Sequence, residues 1–240
     1  MSPQVQLTAQ AVRKTSATQN HVLGTVGQTP DGRVFRYAKA GAADIVAGNL
    51  LVAANAEANH LNRPVYAAVA AGQRELQATM GATAVTADQY KDGYLTVNDG
   101  TAEGILYLIE GNTAAGSSGV PTIFLAEPLI EALVATTSEV SLEYNTWANV
   151  VISVSDQLDM AVGVSNIDVA YATAPYFWCQ TRGNCSVLAD EAVNKGLQLT
   201  IGSSVGGAVE AADAANENIV GIAAEALVDT ENRRVYLQID

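Results

Sequence analysis

From residue 86 onward, apolar and polar residues alternate in short runs, and turn-forming residues separate these runs. Alternation with a period of two is typical of strands that have one face in a core and the other in solvent. Strands this short, at this spacing, favour an antiparallel sandwich or barrel. The predicted fold class is therefore mainly β. The predicted strands cover residues 94–97, 105–109, 122–125, 140–144, 150–154, 176–180, 185–188, 196–201, 218–223 and 233–239. No repeat of fixed period is visible.

Two turns predict hairpins. Asn98, Asp99 and Gly100 follow the first of these strands and form a strong turn signal. A second predicted turn spans residues 181–184 and would bring the strands before and after it together. In that hairpin Cys179 and Cys185 could face each other.

The chain before residue 86 is less regular. Residues 1–36 are polar and predict an extended arm that becomes ordered on a partner, with Val26 and Phe35 among its apolar anchors; the alternative is a flexible tail without a role. Residues 37–120 are predicted as a small Ala-rich and β region, with short strands and one helical turn near residues 73–80. Residues 121–240 are predicted as a β-sandwich or barrel domain.

Charge narrows the range of partners. The 240 residues contain 25 acidic and 12 basic residues, a net charge of −13. Such a surface repels nucleic-acid phosphates and anionic lipid, so neither is an expected partner, whereas a basic protein surface is compatible.

The most apolar long stretch, residues 123–135, is interrupted by Glu127, Pro128 and Glu131, so no membrane helix is predicted. The first ten residues lack a signal-peptide pattern, which predicts a soluble protein made in the cytosol.

One segment matches a catalytic pattern. Gly202, Ser204 and Gly206 have the spacing of the nucleophile elbow of serine hydrolases. That elbow needs a following helix and a histidine later in the chain, but no histidine follows His60. A glycine-rich turn is the preferred interpretation. No P-loop and no dinucleotide-binding glycine pattern occurs.

The remaining candidates each have a simpler structural explanation. His21 and His60 have no metal-binding spacing, so solvated histidines are preferred to metal ligands. Asn98, Asp99 and Glu103 lack the ligand order of an EF-hand, so an ordinary turn is preferred to a calcium site. Free buried thiols are preferred to a disulfide between the two cysteines. The sequence thus predicts no catalytic, cofactor-binding or metal-ligating residue, and no enzyme.

Three segments carry a family resemblance: LGTVGQTPDGRVFRYAKAG at residues 23–41, YLTVNDGTAEGILYLIEGN at residues 94–112, and YFWCQTRG at residues 176–183, continuing through GLQL at 196–199 and GIA at 221–223. These segments resemble head decoration (cement) proteins of tailed bacteriophages. In the third, Cys179 takes the position between Trp178 and Gln180. Residues 38–84 match least well.

The resemblance implies a structural virion protein, made in the host cytoplasm and bound to the outer surface of the head. It implies the major capsid protein as partner and self-association, with trimers favoured over dimers. The alternatives are another β-module of the virion, from tail, baseplate or fibre, and a small serine hydrolase. A fibre head would carry a repetitive trimerising shaft, and none is visible in the sequence.

Overall fold

The computed structural model describes residues 4–154 and 157–240. It is almost all β, with 39% of residues in strands and 3% in helical turns, and it contains a five-stranded barrel and a half-barrel sheet. The predicted fold class is confirmed. The strands are β1 (Val5–Gln6), β2 (Val26–Gln28), β3 (Val34–Lys39), β4 (Leu50–Val52), β5 (Arg63–Pro64), β6 (Glu75–Gln77), β7 (Tyr94–Asp99), β8 (Leu106–Asn112), β9 (Thr122–Leu125), β10 (Glu139–Glu143), β11 (Val151–Ile152), β12 (Ala161–Ser165), β13 (Tyr176–Ala189), β14 (Gln198–Ile201), β15 (Ala208–Ala211), β16 (Gly221–Ala223) and β17 (Asn232–Gln238). Two 3₁₀ turns are Ala11–Arg13 and Ala58–His60.

The chain divides into two compact units. Unit 1 combines the chain up to Ala54 with Thr146–Asp240, and unit 2 is Asn55–Asn145. These units do not coincide with the predicted ranges 1–36, 37–120 and 121–240. The predicted boundary at residue 36 lies inside β3, and the one at residue 120 separates β8 from β9, which pair with each other. The observed boundaries, after Ala54 and after Asn145, do not coincide with changes in composition. Strand pairing joins segments of different composition into one unit.

Unit 1 is built around the long strand β13. Its sheet runs in the order β1-β2-β3-β13-β15-β14-β16-β17, and β17 pairs with β13 again, so that five strands close into a barrel. The other three strands of the sheet pair on a side path, β11 with β4 and β12 with β4 and β13. The barrel interior is filled by alternating side chains of its strands, among them Val187, Leu199, Ile201, Val235 and Leu237.

The predicted extended arm is instead part of unit 1. β1 pairs in parallel with β2, and β2 pairs with β3. Leu7, Val12 and Leu23 are buried. Gly27 leaves room for the Leu7 side chain, since a Cβ there would lie 2.3 Å from Leu7 Cδ1. A few well-spaced apolar residues are thus enough to hold a polar segment in the sheet.

The predicted hairpin at residues 181–184 is wrong. β13 continues through this segment as one strand of 14 residues. Its first half pairs with β3 and its second half with β17, with a register shift between Gln180 and Arg182. Gly183 has a φ of 89°, so the local signal for a turn is real. Pairing partners on both halves turn it into a bend between two sections of one strand.

Unit 2 contains the six-stranded sheet β5-β10-β7-β8-β9-β6. A single bridge between Val65 and Ala78 links the segments that follow its two outer strands. The hairpin predicted at residues 98–100 is confirmed as β7 and β8. The helical turn predicted near residues 73–80 is wrong, because β6 lies there and pairs with β9. Buried core residues of unit 2 include Tyr90, Leu95, Ile109, Ile123 and Leu142.

A recurrent turn precedes many of the strands. It has an apolar side chain facing the core at one position and a residue with positive φ three positions later; we call it a left-handed corner. The structure contains it at 45/48, 69/72, 85/88, 115/118, 133/136, 193/196 and 227/230. The left-handed residue is glycine in three cases and Asp88, Ser118, Thr136 or Thr230 in the others. The spacing between corners is irregular, which is why no fixed-period repeat is visible.

Six of the seven corners contact each other in pairs through their first residues. Val69 and Leu133 exchange two backbone hydrogen bonds of 3.0 and 2.9 Å, and Val85 and Ala115 exchange two of 2.9 Å. In unit 1, the Leu227 N–H donates to the carbonyl oxygen of Val193 at 2.8 Å. These backbone groups in one connection are thereby satisfied by another connection and not by a strand.

Candidate functional site

The glycine-rich segment at residues 202–206 is a connection between antiparallel strands. It joins β14 to β15, and no helix follows it. The Ser203 hydroxyl donates to Glu210 at 2.8 Å, and the Ser204 N–H donates to Asp190 at 2.7 Å. The predicted glycine-rich turn is confirmed. The geometry is not that of a nucleophile elbow, in which the serine lies at a strand-to-helix turn.

His60 is not solvated, and this part of the prediction is wrong. His60 is fully buried in unit 2, where its Nδ1 lies 2.5 Å from the Tyr90 hydroxyl and its Nε2 lies 3.0 Å from the carbonyl oxygen of Thr83. Burial raises the pKa of Tyr90 far above its usual range, and the neighbouring Tyr144 raises it further. His60 is therefore a hydrogen-bonded core residue.

His21 is half-buried in unit 1 and belongs to an aromatic cluster. Its ring centroid lies 5.1 Å from that of Tyr37 and 5.2 Å from that of Trp178. Within residues 4–154 and 157–240, no group of three His, Cys, Asp or Glu side chains is placed to hold a metal ion. His21 thus contributes an aromatic contact that links the N-terminal segment to β3 and β13.

Both cysteines are buried free thiols on β13, which agrees with the preferred interpretation. Burial raises the pKa of the Cys185 thiol to about 12 and that of Cys179 well above its usual range. The Cys185 Sγ lies 3.2 Å from Asn166 Oδ1. These protonated, inaccessible thiols are poor nucleophiles, because the thiolate is the reactive form.

Asn98 and Asp99 end β7, and the protein's own groups use their side chains. Asp99 Oδ1 accepts from the Gly100 N–H at 2.6 Å, and Asn98 Oδ1 accepts from the hydroxyl of Ser141 on β10 at 2.7 Å. The first contact is local to the turn, and the second joins two neighbouring strands. In the described part of the chain, no helix is long and apolar enough to span a membrane.

The strongest candidate for a functional surface is the outer face of the sheet in unit 2. β8 alternates between buried Tyr107 and Ile109 and exposed Leu106 and Leu108. The exposed fractions of Leu106 and Leu108 are 52% and 37%, and Phe124 on the adjacent strand β9 is 37% exposed. We call these three residues the apolar row. Large apolar side chains on neighbouring strands are a feature of surfaces that meet another protein.

Acidic side chains lie around the apolar row. Glu75 on β6 is directly opposite Phe124, and Glu110 continues the exposed side of β8 beyond Leu108. On the other side, Tyr94 lies opposite Leu108 on β7, and Glu143 lies opposite Tyr94 on β10. An apolar centre within a charged rim is the usual anatomy of a protein interface. The negative rim would favour a partner surface with basic residues at its edge.

Two of the three residues of the apolar row, Leu106 and Leu108, lie in the alternating run at residues 105–109 that was predicted as a strand. Residues 150–154, also predicted as a strand, are mostly used inside unit 1: Val150 is buried, and β11 pairs with β4. Only Val154, with 69% of its surface exposed, projects into solvent. Phe124 was not singled out from the sequence, although its place between two buried strand residues would have allowed it.

No protein-family model, no curated protein and no solved structure matches the chain.

Proposed function

We propose that this protein is a non-catalytic decoration (cement) protein of a tailed-phage head. It binds the outer surface of the assembled head, contacts neighbouring major capsid subunits and stabilises the contacts between them. It acts as a homo-oligomer, with trimers at three-fold or quasi-three-fold positions favoured over dimers.

The apolar row is the observation that carries this proposal. A β-rich protein with Leu106, Leu108 and Phe124 exposed on one sheet face has a contact surface that its own core does not use. Burying these side chains against a partner would contribute roughly 25 cal/mol for each Å² removed from water. On a shell, the same contact repeats at every equivalent position, so a modest affinity per copy gives a large total stabilisation.

Charge and construction support the same function. The net charge of −13 keeps free copies apart and would steer them toward a basic region of the capsid surface. Sheet-rich units whose loops are hydrogen-bonded to each other suit a protein that must resist mechanical load. The resemblance of residues 23–41, 94–112 and 176–183 to cement proteins points in the same direction.

The test mixes purified protein with undecorated heads of the parent phage. We expect the wild-type protein to sediment with heads and to raise the temperature at which they release DNA. The double variant Leu106→Ser/Leu108→Ser should bind at least about tenfold more weakly, since each leucine contributes on the order of 1–2 kcal/mol when buried. Leu197→Ser, which removes an exposed leucine in unit 1, is the matched control and should bind like wild type.

Failure to sediment with heads at any ionic strength would overturn the proposal. Binding to isolated tails or baseplates instead would assign the protein to another β-module of the virion. Analytical ultracentrifugation of the free protein gives its oligomeric state, and a strict monomer both free and on heads would contradict the homo-oligomer.

A further inference from the structure

The strongly acidic chain has a cluster of arginines in one groove of unit 1. The groove has a volume of about 600 Å³, and four arginines line it: Arg13, Arg33, Arg233 and Arg234. These are four of the 12 basic residues in the whole chain. Glu225 is the one carboxylate in the lining, so the lining side chains carry a formal charge of +3.

The four arginines come from three separate parts of the sequence. Arg13 ends the first 3₁₀ turn, Arg33 directly precedes β3, and Arg233 and Arg234 lie on β17. Only the folded unit brings them to one groove. Self-repulsion among four guanidinium groups disfavours such a gathering unless negative charge offsets it, and carboxylates of the chain supply only part of that charge.

Two of the arginines are held in place by neighbouring carboxylates. Arg33 Nε donates to Asp31 Oδ2 at 2.8 Å, and Arg233 Nη2 donates to Glu231 Oε2 at 2.5 Å. The Nε atom of Arg233 is nevertheless buried and has no hydrogen-bond partner among the described residues. A buried charged donor without a partner is costly, so this atom needs an acceptor that the described residues do not supply.

The other two arginines have their guanidinium groups available. In the part of the chain that the structure describes, neither Arg13 nor Arg234 forms an ion pair. Glu225, the lining carboxylate, already accepts from the backbone N–H of Arg234 at 2.9 Å. Free guanidinium groups bind carboxylates through two parallel hydrogen bonds, and such bonds are about twice as strong as neutral ones.

Polar groups of β13 form the rest of the lining. Gln180 is fixed by donation to the carbonyl oxygens of Arg182 and Asn184, at 3.1 and 2.9 Å, and it accepts from Asn166 at 2.8 Å. The exposed side chains of Asn184 and Ser186 lie next to this rigid base. Amides and hydroxyls both donate and accept, so they suit a ligand with peptide groups as well as charges.

We propose that this arginine groove binds a short acidic peptide segment of a protein partner, with its carboxylates paired to Arg13, Arg233 and Arg234. In an extended peptide, every second side chain is on the same side, roughly 7 Å apart, so separate carboxylates reach separate arginines. The inference goes beyond the capsid proposal and does not depend on it, because the apolar row belongs to unit 2.

The net charge selects a short ligand over nucleic acid. At physiological ionic strength, charges are screened beyond about 8 Å, so a ligand confined to the groove experiences mainly the local positive charge. A nucleic-acid strand longer than the groove would lie along the acidic surface and be repelled by it.

The test uses fluorescence anisotropy with a fluorescein-labelled octapeptide of alternating Asp and Gly. An Asn–Gly octapeptide and an eight-nucleotide oligothymidine serve as comparison ligands. We expect the Asp–Gly peptide to bind at least about tenfold more tightly than the Asn–Gly peptide, because charge-assisted bonds contribute about 1.5–3 kcal/mol each. Affinity should fall as NaCl rises.

The variant Arg13→Gln/Arg234→Gln should weaken binding of the Asp–Gly peptide by about tenfold or more. Arg182→Gln is the matched control: Arg182 is exposed on the same strand as Asn184 but does not line the groove, so its affinity should stay within about twofold of wild type. A second measurement needs no variant. When the Asp–Gly peptide is added to isotope-labelled wild-type protein, the NMR resonances of the backbone amides of Asn184, Ser186 and Arg234 should shift.

Equal binding of the two peptides overturns the proposal, as does equal weakening by Arg182→Gln. Tighter binding of the oligonucleotide than of the Asp–Gly peptide assigns the groove to nucleic acid instead. Inorganic phosphate, added at constant ionic strength, is also tested as a competitor. If it displaces the Asp–Gly peptide completely and amide resonances shift only around Arg233, the groove is a site for a small oxyanion and not for a peptide. None of these outcomes affects binding to phage heads through the apolar row.

Discussion

The sulfur atom of Cys179 occupies the space in which any side chain at position 163 would begin. A Cβ built on Gly163 would lie 2.5 Å from Cys179 Sγ and 2.7 Å from the carbonyl oxygen of Gln180. Gly163 also has a φ of 145°, which side chains rarely tolerate. β12 can therefore approach β13 only because residue 163 is glycine.

Replacing Gly163 with alanine should lower the free energy of unfolding by about 3 kcal/mol, since backbone strain and overpacking both contribute. Gly196→Ala is the matched control. Gly196 has a φ of 90° but nothing within 4 Å of the added Cβ, so only the conformational cost of about 1 kcal/mol applies. Urea denaturation followed by tryptophan fluorescence measures both. Equal losses in the two variants would show that the contact with Cys179 contributes nothing.

At a left-handed corner, a change to glycine should raise stability, whereas the loss of glycine at position 163 should lower it. Thr136 has a φ of 62°, so Thr136→Gly removes backbone strain and should raise the free energy of unfolding by about 0.5 kcal/mol. Its neighbour Thr137 is also exposed but has no positive φ, so Thr137→Gly should lower it by about 1 kcal/mol. Circular dichroism during urea denaturation follows the change. The same sign for both variants would contradict this assignment of strain.

The buried thiols should make the protein less stable in alkaline solution. Burial raises the pKa of Cys185 to about 12 and also raises that of Cys179, whereas unfolded thiols titrate near pH 8.5. Between these values the folded protein keeps protons that the unfolded chain releases, so the free energy of unfolding falls as pH rises from about 8.5. By pH 10 the loss due to Cys185 should be about 2 kcal/mol, and Cys179 should add to it.

The variant Cys179→Ala/Cys185→Ala should show a shallower decline over the same pH range, whatever its stability at pH 7. In addition, iodoacetamide should modify both cysteines of wild-type protein in denaturant without reductant, and neither in the native state. A native mass lower by two protons would reveal a disulfide. If the free energy of unfolding falls with pH equally steeply in wild type and in the double variant, the thiols do not cause the loss of stability.

The N-terminal segment should contribute to stability in the free protein. Leu7 is buried beside Gly27, so Leu7→Ala should lower the free energy of unfolding by about 2–3 kcal/mol. Val22→Ala, at a half-exposed position in the same segment, should change it by less than about 0.5 kcal/mol. If Leu7→Ala costs nothing and proteases remove residues 2–33 from the free protein, the segment is the mobile arm that its composition predicted.

Local pattern predicted the sheet-rich fold and many strands, including β9, β10 and the hairpin of β7 and β8, because alternation and turn residues act over a few positions. It failed where distant partners decide. The turn signal at Gly183 was overridden by pairing to β3 and β17, and His60 was judged solvated because its partner Tyr90 is 30 residues away. The arginine groove was invisible for the same reason, since Arg13, Arg33 and Arg234 meet only after folding.

The placement of unit 2 within the sequence of unit 1 has a consequence for synthesis on the ribosome. Every strand pairing of unit 2 lies within residues 55–145, so its sheet can form as soon as that segment has emerged. β3 and β4 are made earlier but must wait for β13 and β12, which emerge after unit 2 is complete. The chain is therefore built in part from the inside outward: the segment translated in the middle can fold before β4, which is translated earlier, meets either of its partners β11 and β12.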